Sequence, residues 1–437
     1  MKAETLLTLL IVAGLVLGAM TGQLLFDPTW SASQPAAAHA YGTLLQLFEF
    51  FGLTVFLGLL KMLIMPLIAG SVFCAVCSVG DIRALGRLGG WTLVYYFSTM
   101  AIAVGVGIFV VLLVRPGDGV HFQAAGASVV PEAAREVAAG GIVGVLRNLV
   151  SLMIPENILA AMAAGQTLGV IVFFLFFGAV TAALGERVRP LVRAAEALTD
   201  VVMKMVELVL WFAPLGIFSL LAWTVGRIGL GSFTDTIGRY VLTVLFGLGV
   251  HALFVLPGLM LLLTRSNPFR FAYQMRAALL MAVGTSSSSA TLPVTLEAAT
   301  TEAGLSRRSA GLVLPLGATV NMDGTALYEA VAVIFMAQAV GIELGIAQLL
   351  IVMLTATLAA IGAAGIPSAG LVTMFIVVDA VNQSLTAANP AAIGIPVAAV
   401  GLILGVDRLL DMVRTGVNVW GDAVGAFLID RLVERRV

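Results

Sequence analysis

Charge is what this sequence most lacks. Only 11% of its 437 residues are Asp, Glu, Lys or Arg, against about a quarter in ordinary globular domains. So few charges cannot clothe a water-facing surface of this size. The 23 basic residues are balanced by 24 acidic ones, which gives no electrostatic footprint for nucleic acid. Histidine and cysteine are scarce too. The three histidines, His39, His121 and His251, are scattered and suggest no metal-ligand set, which argues against a metal-dependent membrane enzyme. His251, inside an apolar run, reads as a packed or hydrogen-bonded side chain rather than a coupling group. Cys74 and Cys77 are the two cysteines, and their CxxC spacing within a hydrophobic segment points to packing, not to zinc or redox chemistry.

Apolar residues fill the place of the missing charge: 60% of the chain is hydrophobic and mean hydropathy is +1.07. Runs of about 20 apolar residues or longer recur, the mark of a polytopic membrane protein. Spans are expected at roughly 5–26, 47–77, 88–114, 161–184, 199–226 and 236–264. The first run suits a retained span better than a cleaved signal, although Ala36 to Ala40 imitates a processing site. Arg83 and Arg87, then Arg187, Arg189 and Arg193, then Arg265, Arg270 and Arg276 all fall on one side of such a six-span arrangement, while residues 28–46 carry no Lys or Arg. With the N-terminus taken as inside, the positive-inside rule makes the basic side cytoplasmic; both termini cytoplasmic, in a plasma (bacterial inner) membrane, is the expectation. Residues 115–160, rich in Gly, Ala and Val and broken at Ser151 and Pro155-Glu156-Asn157, suit short or tilted helices. Pro66, Pro214 and Pro257 lie within spans and would kink them or free a carbonyl.

The second half departs from simple spans. An apolar run from Ala277 to Gly284 is interrupted by Thr285 and four serines and resumes from Leu292 to Ala299. About eight helical residues reach about 12 Å, too short for a hydrocarbon core of about 30 Å. This is either a re-entrant hairpin with a polar tip, entered from the cytoplasmic side between Arg276 and Arg307-Arg308, or one span with a polar centre. A second broken segment, about 346–380, centres on Gly362-Ala363-Ala364-Gly365-Ile366-Pro367-Ser368-Ala369-Gly370, too rich in Gly and Pro for a regular helix. Paired broken segments in a repeat point to a secondary transporter's binding site, and the second would enter from outside.

Between them, Asn321, Asp323 and Thr325 sit mid-span beside Gly317 and Gly324, where local unwinding would expose carbonyl oxygens suited to a dehydrated sodium ion. Glu329, a turn further on, has no basic neighbour in its own helix. It is either a proton carrier or a structural carboxyl bonded to another span. In the last span Asp407, Asp411, Arg414, Asn418 and Asp422 recur at steps of four, three, four and four. At about 100° per residue they form one polar stripe that includes Thr415. Ionisable groups at membrane depth are costly, so the stripe faces protein, ions or a polar ligand.

These segments together resemble the dicarboxylate/amino acid:cation symporter family, the glutamate-transporter-like proteins. The likeness rests on TSSSSATLPVT at 285–295, LPLGATVNMDGTALY at 314–328, IGAAGIPSAG at 361–370 and DRLLDMVRTGVNVWGD at 407–422. LKMLIMPLI at 60–68, YYFST at 95–99 and FAPLG at 212–216 match more weakly. The resemblance covers nearly the whole chain. It implies an all-α polytopic membrane protein of eight transmembrane helices plus two opposed re-entrant hairpins in inverted repeats, assembled as a homotrimer among membrane lipid. Scaffold elements (about 1–80 and 134–226) would hold the trimer, while mobile elements (about 81–133 and 236–437) move as an elevator, with hairpins near 270–300 and 346–380.

By the same resemblance Arg414 holds a substrate side-chain carboxylate, and Asp411 with Thr415 takes the α-amino group. Asn418 meets the α-carboxylate or amino end, and Ser287, Ser288, Thr325 and the backbone of Ile366 and Gly370 complete the pocket. Asn321, Asn418, Asp422 and Gly317 backbone form one implied sodium site. Asp323 with Asn321, Tyr96 and Thr99 forms another, and Thr319 with the 360–363 backbone a third. Met100 departs from the hydroxyl residue usual beside Thr99, and a thioether is a poor ligand for a hard cation. Ser286 stands where some prokaryotic members carry arginine, and Arg408 supplies a positive charge from the last helix instead. Glu329 matches the residue associated with proton coupling. Asp407 has no assigned role.

The implied activity is import of L-glutamate or L-aspartate on a gradient of sodium, protons or both, without a cofactor and without nucleic acid. Alternatives are a C4-dicarboxylate symporter and, further off, an anion channel. Asp411 weighs against the first, because an aspartate facing a ligand with no ammonium is repulsive.

Overall fold

The computed structural model describes residues 3–27, 41–78, 82–118, 150, 153–164, 166–362, 369–388 and 394–434, all helix, turn or irregular backbone. Helices dominate for a physical reason: in hydrocarbon, backbone N–H and C=O groups must be satisfied within their own segment. The spans begin with α1 (Ala3–Leu25) and continue through Gly42–Glu49 and a π-helical Phe50–Leu57 to α2 (Ile64–Ser78). They go on with α3 (Ile82–Val114), α4 (Thr167–Leu184), α5 (Arg189–Leu210), α6 (Ala213–Ile228), α7 (Leu230–Val250) and α8 (Leu256–Thr264). The greater part of 115–160, from residue 119 to 149, lies outside the described residues.

Pro214 restarts a helix, whereas Pro257 follows a π turn inside one continuous helical run, Phe233–Thr264. Pro214 occupies the first turn of α6, where the missing N–H is not needed. The expected fifth span is therefore two helices, α5 and α6, and the sixth is broken by a π turn at His251–Val255. Glycines at Gly14, Gly18 and Gly22 bring α1 onto α6. A Cβ there would lie 2.4 Å from the Pro214 carbonyl oxygen, 2.5 Å from that of Phe218 and 2.7 Å from Val225 Cβ, the small-residue seam by which membrane helices approach closely.

The second half has the broken geometry expected of it. Helices α9 (Arg276–Thr285) and α10 (Ser288–Glu297), ten residues each, form a hairpin that turns at Ser286 in a left-handed conformation, φ 52°. Helix α11 (Arg307–Val320) ends in extended Asn321, and α12 (Asp323–Ala339) starts two residues later. A second hairpin pairs α13 (Ile346–Gly362) with α14 (Ala369–Ala388), and α15 (Gly401–Ile429) closes the bundle. The tip of that hairpin, 363–368, with Ile366, lies outside the described residues.

Burial separates core from rim. In the most apolar stretches of Leu88–Val114, Leu168–Val206 and Phe233–Thr264, 33–39% of residues are buried, whereas the corresponding stretch of Arg307–Ala339 is wholly buried. Phe109, Phe176, Phe254 and Leu262 are among many large apolar side chains exposed at the rim. A polar, broken helix at the centre with an apolar exterior is the arrangement of a multi-pass membrane protein. Helix α15 packs against α3, α6, α7, α8, α9, α11 and α12. Its six stripe residues are each at most 5% exposed, while Leu409 on the opposite face is 65% exposed. The stripe faces protein.

Candidate functional site

Arg414 organises one end of the stripe. It is completely buried, and its Nη2 donates to Asp411 Oδ1 at 2.8 Å. Nη1 lies 3.1 Å from Asp407 Oδ1, two turns back on the same face. The guanidinium carbon is 3.9 Å from the centre of the Tyr328 ring, an arrangement that only a planar cation exploits fully. Among the described residues Arg414 Nε has no hydrogen-bond partner. Asp411 is also approached by Arg408, Nη1 to Oδ2 at 3.6 Å, which places the displaced positive charge beside the pocket. Thr415 Oγ1 donates to the Asp411 carbonyl. On the hairpin side, a Cβ at Gly370 would sit 3.1 Å from Arg414 Nη1 and 3.2 Å from Thr325 Cγ2, so α14 lies tightly over Arg414 at a position without a side chain.

Asn418 joins this end to the helix break. Its Oδ1 accepts from Gly324 N at 2.7 Å, and its Nδ2 donates to Thr325 Oγ1 at 3.2 Å. The start of α12 is thereby stapled to α15. Ser287 caps α10 by accepting from Ala290 N, and buried Ser288 opens that helix. Helices α10 and α12 thus both begin at polar turns, where unsatisfied N–H groups favour an anion.

Further along α15 the electrostatics reverse. Asn321 Nδ2 donates to Asp422 Oδ1 at 3.0 Å, and Thr99 Oγ1 lies 3.5 Å from Asn321 Oδ1 and 3.2 Å from the Tyr96 carbonyl. The Tyr96 hydroxyl donates to the Val313 carbonyl at 2.7 Å, and its oxygen lone pairs stay free to accept. Asp323 Oδ2 is 3.1 Å from His251 Nε2, while Oδ1 is buried and unpartnered. Asp323 and Asp422 are 0% and 3% exposed. Among the described residues neither is paired with Lys or Arg. Buried carboxyls in that situation must be neutralised by a proton or a cation, and the set of carboxylate, amide, hydroxyl and carbonyl oxygens would suit a hard cation. Met100, buried beside Thr99, adds no oxygen. Thr319, half-buried, bonds back to the Leu316 carbonyl; residues 360–362 end α13, and 363 is outside the described residues.

Gly317 gives this region a direct test. A Cβ there would fall 2.4 Å from Asp422 Oδ1 and 2.5 Å from the Tyr96 hydroxyl oxygen, and overpacking costs about 1–3 kcal/mol. Gly317→Ala is expected to raise the sodium concentration for half-maximal uptake roughly 10-fold or more, measured in proteoliposomes at saturating substrate; an unchanged value would remove Asp422 from the cation site.

Residues 7–432 match the model of the Sodium:dicarboxylate symporter family. The chain belongs to that family. Among its relatives, an excitatory amino acid transporter of Caenorhabditis elegans is 37% identical, the alignment covering 98% of this chain and 87% of the relative. Excitatory amino acid transporter 3 of Homo sapiens is 36% identical over 98% and 85%, and excitatory amino acid transporter 2 of Homo sapiens 35% identical over 98% and 79%.

Within this symporter-family chain, Glu329 is completely buried and bonded to the Thr373 hydroxyl of α14 through Oε1, with Oε2 unpartnered. It links the broken central span to the second hairpin, a contact compatible with both roles expected of it. Asp407 and His251 are the residues whose contacts the sequence left unread. The first stands seven residues from Arg414, a spacing that marks one helix face, but three stripe charges left its pairing open. The second meets Asp323 across 72 positions, and no local pattern announces that. Cys74 and Cys77 approach Thr199 Oγ1 at 3.5 Å and the Gly178 carbonyl at 3.7 Å, ordinary packing contacts between helices.

Proposed function

We propose that this protein imports an acidic amino acid, L-aspartate or L-glutamate, together with sodium as a secondary active symporter. The observation that carries the reading is the division of charge along α15: Arg414 held by Asp411 at one end, and at the other Asp422 and Asp323, which have no Lys or Arg partner among the described residues. An acidic amino acid presents two carboxylates and one ammonium. Its side-chain carboxylate replaces Asp411 on the Arg414 fork, and the released Asp411 takes the ammonium. One ligand completes both exchanges. A diacid without nitrogen would displace Asp411 from Arg414 yet bring no ammonium in exchange, leaving it only the more distant Arg408, 3.6 Å away. The names of the relatives, excitatory amino acid transporters, support the same substrate class. Sodium in the Asp323–Asp422 region supplies the missing positive charge there, so that ion and substrate neutralise neighbouring parts of one helix.

Uptake of labelled aspartate into proteoliposomes, with sodium and pH gradients imposed separately, tests this reading. Concentrative uptake driven by sodium is expected, with aspartate binding more tightly than succinate. Succinate as the tighter ligand would overturn the amino-acid assignment, and flux that never exceeds electrochemical equilibrium would overturn symport. Whether protons travel too rests on Glu329. Glu329→Gln is expected to remove most pH-gradient-driven uptake while changing aspartate affinity by less than about threefold; unchanged pH-driven uptake would leave Glu329 a structural carboxyl.

Movement is proposed to follow the family's elevator, with 1–80 and 134–226 as scaffold, the rest mobile, and both termini cytoplasmic. Homotrimer assembly is supported by the outer face of α5, where Arg193, Glu196 and Asp200 are exposed beside Leu198, Val201 and Leu208. Neither lipid nor water covers that mixture well. Its burial against further copies resolves the conflict.

A further inference from the structure

His251 is fully buried where α7 gives way to a π turn, His251–Val255. Such turns insert a residue into the helical repeat and re-aim the side chains around it, often at functional sites. The turn is clamped from α15, because Trp420 Nε1 donates to the Ala252 carbonyl at 3.0 Å. What the clamp holds in place is the imidazole, whose Nε2 is 3.1 Å from Asp323 Oδ2.

We infer that His251 is a positioning residue for the cation site at Asp323, its Nε2–H holding Oδ2 so that Oδ1 is the oxygen presented to the ion. This rests on the reading of Asp323 as a cation ligand, and adds to it which carboxylate oxygen binds and what aims it. The two oxygens are unequally placed. Oδ2 is taken by His251 and crowds the α15 backbone, where a Cβ at Gly421 would lie 2.8 Å away. Oδ1 is buried and has no partner at all, an arrangement that costs free energy unless something binds it. The donor is the Nε2–H tautomer of neutral imidazole. Nδ1 is buried and makes no hydrogen bond, so a proton there would be an unsatisfied donor, whereas a bare ring nitrogen is a weaker loss.

The site's own chemistry makes this orientation count. Thr99 is followed by Met100, fully buried, in place of a second hydroxyl, so fewer oxygens remain and the direction of the one free carboxylate oxygen bears more of the affinity. Outer partners that fix a ligand's orientation are typically worth about 10–100-fold in ion affinity, and a weakly held monovalent ion belongs at the lower end. No change of charge on His251 is needed for this role.

The test is sodium titration of the purified full-length protein without substrate, read as the rise in thermal unfolding temperature and as tryptophan fluorescence, on the parent and on His251→Ala, His251→Gln and Asp323→Asn. Glutamine carries an N–H close to the position of imidazole Nε2. His251→Ala is expected to raise the half-saturating sodium concentration roughly tenfold. His251→Gln should stay within about threefold of the parent, and Asp323→Asn should lose at least as much as His251→Ala. Aspartate affinity at saturating sodium should remain within about twofold in both His251 variants. Full sodium affinity in His251→Ala, with loss in Asp323→Asn, would overturn the positioning role and leave the cation reading intact. Unchanged affinity in Asp323→Asn would overturn the cation reading itself. If His251→Ala does not fold, His251→Gln decides alone: near-parental affinity supports the hydrogen bond, and a tenfold loss overturns it.

Discussion

Replacing Arg414 by alanine is expected to abolish binding of aspartate and glutamate, weakening it by roughly 100-fold or more. The magnitude follows from burial. Arg414 is 0% exposed, and removing one partner of a buried charge pair costs about 3–5 kcal/mol, with each 1.4 kcal/mol about a factor of ten in affinity. In the variant Asp407 and Asp411 would lose the guanidinium between them, Arg408 would remain only at the edge of Asp411, 3.6 Å away, and an incoming side-chain carboxylate would meet a predominantly negative site. Asp411 would still accept an ammonium, so a small neutral amino acid is expected to retain measurable binding where an acidic one does not. Arg414→Lys separates charge from shape. A lysine ammonium keeps the positive charge but cannot form the two-pronged carboxylate contact or stack flat on Tyr328, so an intermediate loss is expected. Isothermal titration with aspartate and alanine, at saturating sodium, measures each. Acidic-substrate affinity retained in Arg414→Ala would remove the substrate from this end of α15.

How much of this was legible beforehand differs from residue to residue. The polar stripe of α15 could be read because a 3.6-residue repeat converts steps of four, three, four and four into one face, and its burial against the surrounding helices bears that out. The first hairpin was legible from length, since eight apolar residues cannot cross a bilayer, and the break at Asn321-Met322 from the glycines flanking it. The seam of Gly14, Gly18 and Gly22 was present in the sequence at four-residue spacing, yet the partner it approaches, α6, is about 200 positions away. His251 was hidden for a different reason. Its direction is set by a π turn, which shifts the helical phase by one residue, so a face computed at 100° per residue points it wrongly. Asp407 lay on the stripe in plain view, but sequence spacing ranks no pairing above another when two carboxylates flank one guanidinium. The ion pair between Asp411 and Arg414 was equally unreadable. It changes the mechanism from two waiting sites to an exchange.

Neutralising Asp422 is the sharper test of the cation side. Asp422→Asn keeps an oxygen to accept the hydrogen bond from Asn321 Nδ2, now 3.0 Å long, so the packing at Gly317 is retained and only the charge is lost. The parent without sodium holds two buried carboxylates, Asp422 and Asp323, in one neighbourhood with no Lys or Arg partner among the described residues. That state is electrostatically strained, and removing one charge should relieve it. In sodium-free buffer the variant is therefore expected to unfold at a higher temperature than the parent. Sodium then reverses the order. A ligand that binds only the folded state stabilises it by about 2.7 kcal/mol at 100 times its Kd, and a site weakened tenfold forfeits about 1.4 kcal/mol of this. The two melting curves, plotted against sodium concentration, should cross. Transport follows the same logic: half-maximal uptake should need roughly ten times more sodium, while aspartate binding at saturating sodium changes less. A variant destabilised equally with and without sodium would mean that Asp422 serves packing alone, and the source of the coupling energy would have to lie elsewhere than in the charge of this helix.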